Sequence, residues 1–243
     1  MNSVDTIDES QRKAARAAGF AILLGIVIVV VANYGIDFRL VVANNAAETV
    51  RNIMAHETLF RINIVCDLIY VTTVVVLLSA LYVILKPVNR TLAMIAAVCR
   101  LIFGLMWGLN ALNSLGALRV LGDAAYLPVF GTDQLQTLAR LHISAAFDDY
   151  YVGLPFWALA STLCSYLWFQ SKYIPRALAA FGVISSAWGT ICAFSFIVFP
   201  HLDEIVDAYW FDVPMTIFEI TLGLWLLFKG LRPSGPTLSD SSS

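Results

Sequence analysis

Long apolar runs separated by short polar turns dominate the pattern of this chain. A helix needs about 20 predominantly apolar residues to cross a bilayer, and the sequence contains six runs that approach or exceed this length. They cover residues 17–34, 62–85, 92–115, 146–169, 177–198 and 213–228. The pattern predicts an all-α fold, a polytopic integral membrane bundle of six transmembrane helices.

Shorter patterns predict helix outside these runs. Residues 46–60 repeat apolar side chains at helical spacing, so this segment is predicted to lie in the membrane interface or to extend the second helix outward. Asp133 with Gln136 three residues later resembles a capping box, which predicts that residues 134–145 extend the fourth helix. Asp212 is the predicted N-cap of the sixth helix.

Composition supports a membrane protein and excludes an ordinary soluble domain. Apolar residues make up 59% of the chain and charged residues only 13%, whereas soluble domains are nearer about 50% apolar and about 25% charged. We expect residues 1–232 to form a single six-helix membrane domain, because the short connections leave no room for a soluble module. The polar residues 233–243 are expected to form a disordered cytoplasmic tail.

Basic residues between the apolar runs orient the predicted helices. Cytoplasmic connections of membrane proteins are enriched in lysine and arginine, and basic residues here are concentrated at the N-terminus, in every second connection and after the last run. These residues are Arg12, Lys13, Arg16, Lys86, Arg90, Lys172, Arg176, Lys229 and Arg232. Acidic residues outnumber basic ones in the opposite connections. Both termini are therefore predicted to be cytoplasmic.

Ionisable side chains interrupt the apolar runs at Asp67, Arg100, Asp148, Asp149 and Glu219. Ionisable groups in hydrocarbon are energetically costly, so each of these is a candidate functional residue. With the predicted orientation, the acids lie in the outer half of the bilayer and Arg100 lies near its middle. The pattern thus predicts an acidic pocket that opens outward.

Helical spacing identifies the residues that share faces with these groups. Asn63 lies four residues before Asp67, and His142 lies seven residues before Asp149, so each pair shares a helix face. The third predicted helix contributes two amide side chains to the same outer half, Asn110 and Asn113. These polar residues extend the predicted pocket beyond the acids themselves.

Two interpretations of these polar residues remain open. In the first, they satisfy one another: Arg100 neutralises Asp67 or Glu219, and the cluster fixes the geometry of the bundle without binding anything. In the second, the acids outnumber the buried cation, so that some of them are protonated, hydrated or matched by a cationic ligand. The surplus of acids favours a ligand pocket.

The remaining motifs argue against a metal site or a bound cofactor. His56, His142 and His201 come from separate segments without metal-ligand spacing. The sequence contains no nucleophile-elbow, phosphate-loop or dinucleotide-binding motif, and no basic stripe for nucleic acid. The cysteines lie in apolar runs without CxxC spacing and are predicted to be small buried hydrophobic residues. We expect no metal and no cofactor.

Small residues at helical spacing predict close helix crossings. Gly104 and Gly108 form a GxxxG pair in the third predicted helix, and Gly182, Ser186 and Gly189 form a small-residue stripe in the fifth. A six-helix bundle needs many close crossings. We therefore assign both patterns to packing within the bundle rather than to dimerisation.

Several segments of the chain carry a resemblance to a known family. They are Asn52-Ile-Met-Ala-His-Glu-Thr-Leu-Phe-Arg61, Asp67-Leu68, Leu81-Tyr82, Lys86-Pro-Val-Asn-Arg90, Ser171-Lys-Tyr-Ile-Pro-Arg176, and Glu219 with Leu224-Trp-Leu-Leu-Phe-Lys-Gly230. Together they resemble a bacterial membrane family catalogued as domain of unknown function 4386, over nearly the whole chain. The resemblance implies a compact helical membrane fold and no known activity. The family pattern has glycine before the glutamate of the sixth helix, where this chain has Phe218, which implies a narrower pocket.

From these patterns we predict a multi-pass protein of the bacterial cytoplasmic (inner) membrane that binds or transports a small amphipathic or cationic molecule. The candidate ligand-binding residues are Asn63, Asp67, Arg100, Asn110, Asn113, Asp149 and Glu219. One alternative is a membrane-embedded enzyme that uses a buried carboxylic acid as general acid on a lipid or isoprenoid substrate, with candidate catalytic residues Glu219, Asp149 and His142. Another is a structural accessory subunit of a membrane complex. The expected partners are membrane lipids and a small-molecule ligand, without nucleic acid, and the oligomeric state is left open.

Overall fold

Helices dominate the structure. The computed structural model describes residues 7–42, 45–122, 129–199 and 208–233. Within these residues lie seven helices: α1 (Glu9–Leu40), α2 (Ala46–Ala55), α3 (Glu57–Leu85), α4 (Arg90–Leu121), α5 (Thr132–Ser171), α6 (Arg176–Val198) and α7 (Ala208–Leu224), which continues as a π-helical turn, Trp225–Lys229. All except α2 belong to segments long and apolar enough to cross a membrane. The prediction of an all-α protein with six spanning helices is confirmed.

The region after the first predicted span is more helical than its polar residues indicated. α1 passes through a π-helical stretch, Val31–Asp37, and ends only at Leu40. Asp37, which the sequence assigns to a connection, is therefore part of a helix. A π-helical stretch shifts the register of the following side chains and is frequent at functional sites.

Residues 46–60 form two helices rather than one. α2 is capped by Asn45, whose side chain accepts a hydrogen bond from the Glu48 backbone N–H at 3.0 Å and donates one to the Glu48 carboxylate at 2.8 Å. α3 then begins at Glu57, well before the predicted start of the second span. The extension of the second span is thus confirmed by α3, whereas the predicted location of this segment in the membrane interface stays a prediction.

Two predicted helix caps are wrong in position. α5 does include the predicted extension, but it begins at Thr132, and its Gln134 side chain accepts from the Gly131 backbone N–H at 3.0 Å. The cap therefore lies before Asp133. α7 begins at Ala208, so Asp212 lies inside the helix and does not cap it.

The chain divides into two compact units. Unit 1 comprises residues 1–23, 76–100 and 157–243, and unit 2 comprises residues 24–75 and 101–156. The boundaries between the units fall inside α1, α3, α4 and α5, so each of these helices contributes residues to both units. The predicted single membrane domain over residues 1–232 stays a prediction, and the predicted tail lies, from residue 234 onward, outside the described residues.

Unit 2 has an apolar core built from the ends of five helices. Its fully buried members share small or branched side chains that pack closely. They include Leu40 of α1, Ile53 of α2, Ile64 of α3, Ala117 of α4 and Ile143 of α5. This core holds the polar ends of α1, α3, α4 and α5 in fixed positions within the unit.

The turn between α5 and α6 is a buried point of contact within unit 1. Lys172 adopts φ 58°, the left-handed conformation that ends many helices. The next residue, Tyr173, is fully buried, and its carbonyl oxygen accepts from the Arg232 backbone N–H at 2.8 Å. Gln11 of α1 donates to the Ile84 carbonyl of α3 at 3.3 Å. Gln11 Nε2 also donates to the Tyr173 hydroxyl at 3.5 Å. Together these hydrogen bonds join α1, α3 and the turn after α5 to the residues that follow α7.

The predicted small-residue crossings hold at some positions only. A β-carbon on Gly104 would lie 3.1 Å from Val74 in unit 2, and one on Gly182 would lie 2.7 Å from Ser165 Oγ in unit 1. A β-carbon on Gly108, by contrast, would meet nothing within 4 Å. Gly104 and Gly182 therefore serve packing within their units, as predicted, whereas Gly108 does not.

Candidate functional site

Three clusters of polar side chains can be distinguished in the described part of the spanning segments. The Asp67 cluster consists of Asp37, Asn63 and Asp67 in unit 2. The Asn113 cluster consists of Asn113, His142 and Asp149, also in unit 2. The Arg100 cluster surrounds a cavity in unit 1 and consists of Arg100, Ser161, Ser165, Trp168 and Glu219.

The Asp67 cluster joins two acids through an amide. Asn63 Nδ2 of α3 donates to Asp37 Oδ1 of α1 at 2.8 Å. Asp67 lies one turn further along α3, is only 3% exposed, and is close enough to Asp37 for the two carboxylates to repel each other. The second amide atom, Asn63 Oδ1, is buried and has no protein partner. The cluster therefore contains acceptor oxygens in excess of donors.

No described cation neutralises these two acids by a direct ion pair. Among the described residues, the ion pairs are Lys13–Glu9 and Arg61–Glu57, and all four side chains are at least half exposed. Placing two charged carboxylates close together in a low-dielectric region is strongly unfavourable. The described protein groups around this cluster therefore do not balance its acids by an ion pair.

The Asn113 cluster links α4 to α5. Asn113 Nδ2 donates to Asp149 Oδ2 at 2.7 Å, and Asn113 Oδ1 lies 3.4 Å from His142 Nδ1. The imidazole packs against Gly116, where a β-carbon would lie 2.7 Å from His142 Nδ1. Any side chain at position 116 would therefore collide with the imidazole in its present position. His142 and Asp149 face the same helix, as their spacing predicted.

Asn110 and Asp148 have different environments. Asn110 Nδ2 donates to the Ala146 carbonyl at 2.9 Å, so this amide serves a helix contact within unit 2. Asp148 is exposed, because the side chains of adjacent helix residues point about 100° apart and Asp148 therefore does not share the face of Asp149. Asn110 thus fits the structural interpretation of the polar residues.

The Arg100 cluster places a buried cation near an acid. Arg100 is 5% exposed, and its Nη2 donates to Ser161 Oγ at 2.8 Å. Glu219, which is partly buried, lines the same cavity and receives a hydrogen bond from the Trp157 side chain. The cavity measures about 20 Å³. The two charged groups share this cavity without a direct ion pair.

Arg100 and Asp67 belong to different units. Their pairing, which the sequence offered as one possibility, stays a prediction. The same holds for a single pocket that would unite all the predicted ligand-binding residues. Glu219 is the acid that shares a cavity with Arg100.

Aromatic residues accompany the clusters in unit 2. The rings of Tyr70 and Trp107 lie 4.5 Å apart, those of Trp107 and Tyr150 lie 6.1 Å apart, and Tyr150 contacts Tyr151. Tyr70 follows Asp67 by one turn and Tyr150 follows Asp149 directly. Aromatic contacts thus join the parts of α3, α4 and α5 that carry the two acidic clusters.

The histidines do not converge within the described residues. His56 is exposed between α2 and α3, and His201 lies outside the described residues. No group of three or more His, Cys, Asp or Glu side chains in the described part of the chain could hold a metal ion. The four cysteines are free, and Cys164 and Cys192 are buried.

Sequence reasoning missed Asp37. It lies beyond the first predicted span and was counted with the acids of a connection, because its neighbours Asn33 and Arg39 made the segment polar. The signal that could have identified it is apolar spacing: Ile36 and Leu40 are four residues apart and continue the buried face of α1.

The chain matches a known protein family over most of its length. A family described as Domain of unknown function (DUF4386) matches residues 17–230. The chain belongs to this family. No curated protein and no solved structure matches the chain.

The match to the DUF4386 family includes all three clusters, since each lies within residues 17–230. One of the segments that resembles the family has a structural role here: Tyr173 and Ile174 are buried in the turn between α5 and α6. The match therefore includes segments that build the fold as well as residues that could carry a function.

Proposed function

We propose that this integral membrane protein binds a small cation at the Asp67 cluster and moves it within the membrane. The observation that carries the proposal is the burial of Asp67 beside Asp37, with an unpartnered amide oxygen on Asn63. Carboxylate and amide oxygens are the groups that hard cations prefer. A bound positive charge would balance the acids and supply a partner for the amide oxygen.

Burial favours a small cation over an amphipathic molecule. Pockets for organic ligands typically measure about 300–1,000 Å³. Asp67 and Asn63 are 3% and 5% exposed, so little of either side chain can contact a large solute in this conformation. Inorganic monovalent cations, ammonium and protons are the ligands that suit such a site.

Asp149 is the second acid that we assign to this function. It lies in the same unit as Asp67 and is held by Asn113 at 2.7 Å. Intramembrane carboxylates mark ion and proton pathways in many transporters. We propose that the Asn113 cluster provides a further site on the path of the cation, in the bacterial inner membrane with both termini cytoplasmic.

A membrane-embedded enzyme is the second candidate function. It is supported by the hydrogen-bonded arrangement of His142, Asn113 and Asp149, in which the imidazole and the carboxyl group both contact the Asn113 amide. General acid and base catalysis requires such groups close together. This function would use Asp149 or His142 on a lipid substrate at the helix surface.

Cation-dependent stabilisation of the purified protein tests the first proposal. A ligand that binds only the folded state stabilises it by about 2.7 kcal/mol at 100 times its dissociation constant. Thermal unfolding in detergent should therefore shift upward with one of Na⁺, K⁺, Li⁺ or ammonium, or with protons as the pH is lowered. Ionic strength is held constant with a bulky organic cation.

The variant Asp67→Asn should lose this shift, and Asp148→Asn is its matched control because Asp148 is exposed. Cation flux into vesicles containing the purified protein should show the same difference. A shift that is equal in Asp67→Asn and wild type would overturn the proposal. Retention of a lipid product that depends on Asp149 but not on Asp67 would favour the enzyme.

A further inference from the structure

The cavity of the Arg100 cluster is lined by side chains whose polar atoms lack protein partners. It is bordered by Arg100, Ser161, Ser165, Trp168 and Glu219, together with apolar residues of unit 1. Arg100 Nε, Ser165 Oγ and Trp168 Nε1 are all buried, and none of them has a hydrogen-bond partner in the protein. Three such atoms around one cavity identify a site for a polar occupant.

The size of the cavity limits that occupant to a very small molecule. One internal water needs about 10–15 Å³ of this kind of volume and two to four polar partners, and the cavity measures about 20 Å³. An organic ligand would not fit. The cavity therefore suits a single water molecule in both volume and chemistry.

The available donors and acceptors match those of water. Arg100 Nε–H and Trp168 Nε1–H can each donate one hydrogen bond, and water can accept two. The Glu219 carboxylate and Ser165 Oγ can each accept, and water can donate two. We propose that one internal water occupies this cavity and bridges the Arg100 guanidinium to the Glu219 carboxylate.

This assignment separates Glu219 from the cation site and from catalysis. A water-bridged pair of one cation and one anion carries no net charge, which lowers the cost of burying both groups. Arg100 also donates a hydrogen bond to Ser161, and Glu219 also accepts one from Trp157. Glu219 is then the fixed partner of Arg100 in unit 1, and the general acid of an enzyme would have to be another residue. The inference does not rest on the proposed cation site, because every residue that carries it lies in unit 1.

Magnetisation transfer from water to tryptophan indole groups tests the proposal directly. The wild-type protein is labelled with ¹⁵N in its indole nitrogens and placed in lipid nanodiscs with deuterated lipid. Trp168 is 1% exposed, so its indole N–H should receive magnetisation from water only if a water molecule contacts it inside the protein. Trp168→Phe identifies the signal by removing it.

The expected result is clear transfer to the Trp168 indole that is insensitive to chloride. Absence of transfer in the wild-type protein would overturn the proposal. A shift of the same signal on chloride titration would identify a bound anion and would overturn it as well. A second measurement is independent of labelling: the effects of Arg100→Gln and Glu219→Gln on unfolding should be non-additive, and strict additivity would contradict the bridge.

Discussion

A β-carbon placed on Gly19 would lie 2.7 Å from the carbonyl oxygen of Gly223 and 2.8 Å from the backbone nitrogen of Leu227. α1 and α7 thus approach each other backbone to backbone in unit 1. The three atoms nearest to this β-carbon all belong to the backbone, which cannot move aside as the end of a flexible side chain can. Such crossings of small residues are a principal means of helix association in membranes, where the lipid provides no hydrophobic driving force.

Gly19→Ala should destabilise the protein. The added methyl group must separate α1 from α7, and overpacking of this kind costs about 1–3 kcal/mol. Gly108→Ala is the matched control, because its β-carbon would meet nothing within 4 Å and alanine is the better helix former. Unfolding in mixed micelles with increasing dodecyl sulfate measures both. Equal stability of the two variants would show that the close approach of α1 and α7 does not determine the stability of the protein.

Gly182 and Phe218 form a second complementary pair. A β-carbon on Gly182 would collide with the Phe218 ring and lie 2.7 Å from Ser165 Oγ. Phe218 is only 3% exposed. The bulk of Phe218 in this chain is therefore accommodated by the absence of a side chain at Gly182.

Gly182→Ala should lower the free energy of unfolding by about 1–3 kcal/mol, since the phenyl ring has to move out of a packed position. Adding Phe218→Leu should recover part of this loss by shortening the side chain opposite the new methyl group. Thermal melting of the two single variants and the double variant measures the coupling. If Phe218→Leu lowers stability by the same amount in both backgrounds, the two residues do not compensate for each other.

The spanning helices could be predicted from the sequence because a bilayer imposes a minimum apolar length on each of them. The runs that end at Leu85 and Val198 end at the same residues as the observed helices. Ends in polar segments could not be predicted as well. α4 continues to Leu121, well beyond the run that ends at Leu115, since helical hydrogen bonding can continue outside the bilayer without an apolar requirement.

The contacts between polar side chains of different helices were harder to predict from the sequence. Spacing placed His142 and Asp149 on one face, but it could not show that Asn113 of another helix lies between them. Which side chains meet across helices depends on crossing distances, and these are set by contacts such as Gly116 against His142. Asp37 was missed because Asn33 and Arg39 make its surroundings polar, so the π-helical part of α1 that contains it resembles a connection in the sequence.

The predicted orientation can be tested by labelling single cysteines in intact cells. Asn89 and Lys172 are exposed and lie in connections predicted to be cytoplasmic, whereas His56 and Asp133 are exposed in connections predicted to face outward. After removal of the native cysteines, an impermeant thiol reagent should label variants at His56 and Asp133 and spare those at Asn89 and Lys172. Lysed cells provide the control in which all four react. Labelling of Asn89 in sealed cells would reverse the orientation.

Removal of Arg100 tests how its charge is balanced. Arg100→Gln leaves an acid without its counter-charge and removes the donor to Ser161. Breaking a buried pair in this way costs about 3–5 kcal/mol, so the melting temperature in detergent should fall. Adding Glu219→Gln removes the unpaired charge and should recover part of the loss, because Glu219 lines the same cavity. Adding Asp67→Asn should recover less if Glu219 is the principal partner. Greater recovery with Asp67→Asn would make Asp67 the counter-ion and leave Glu219 free for another role.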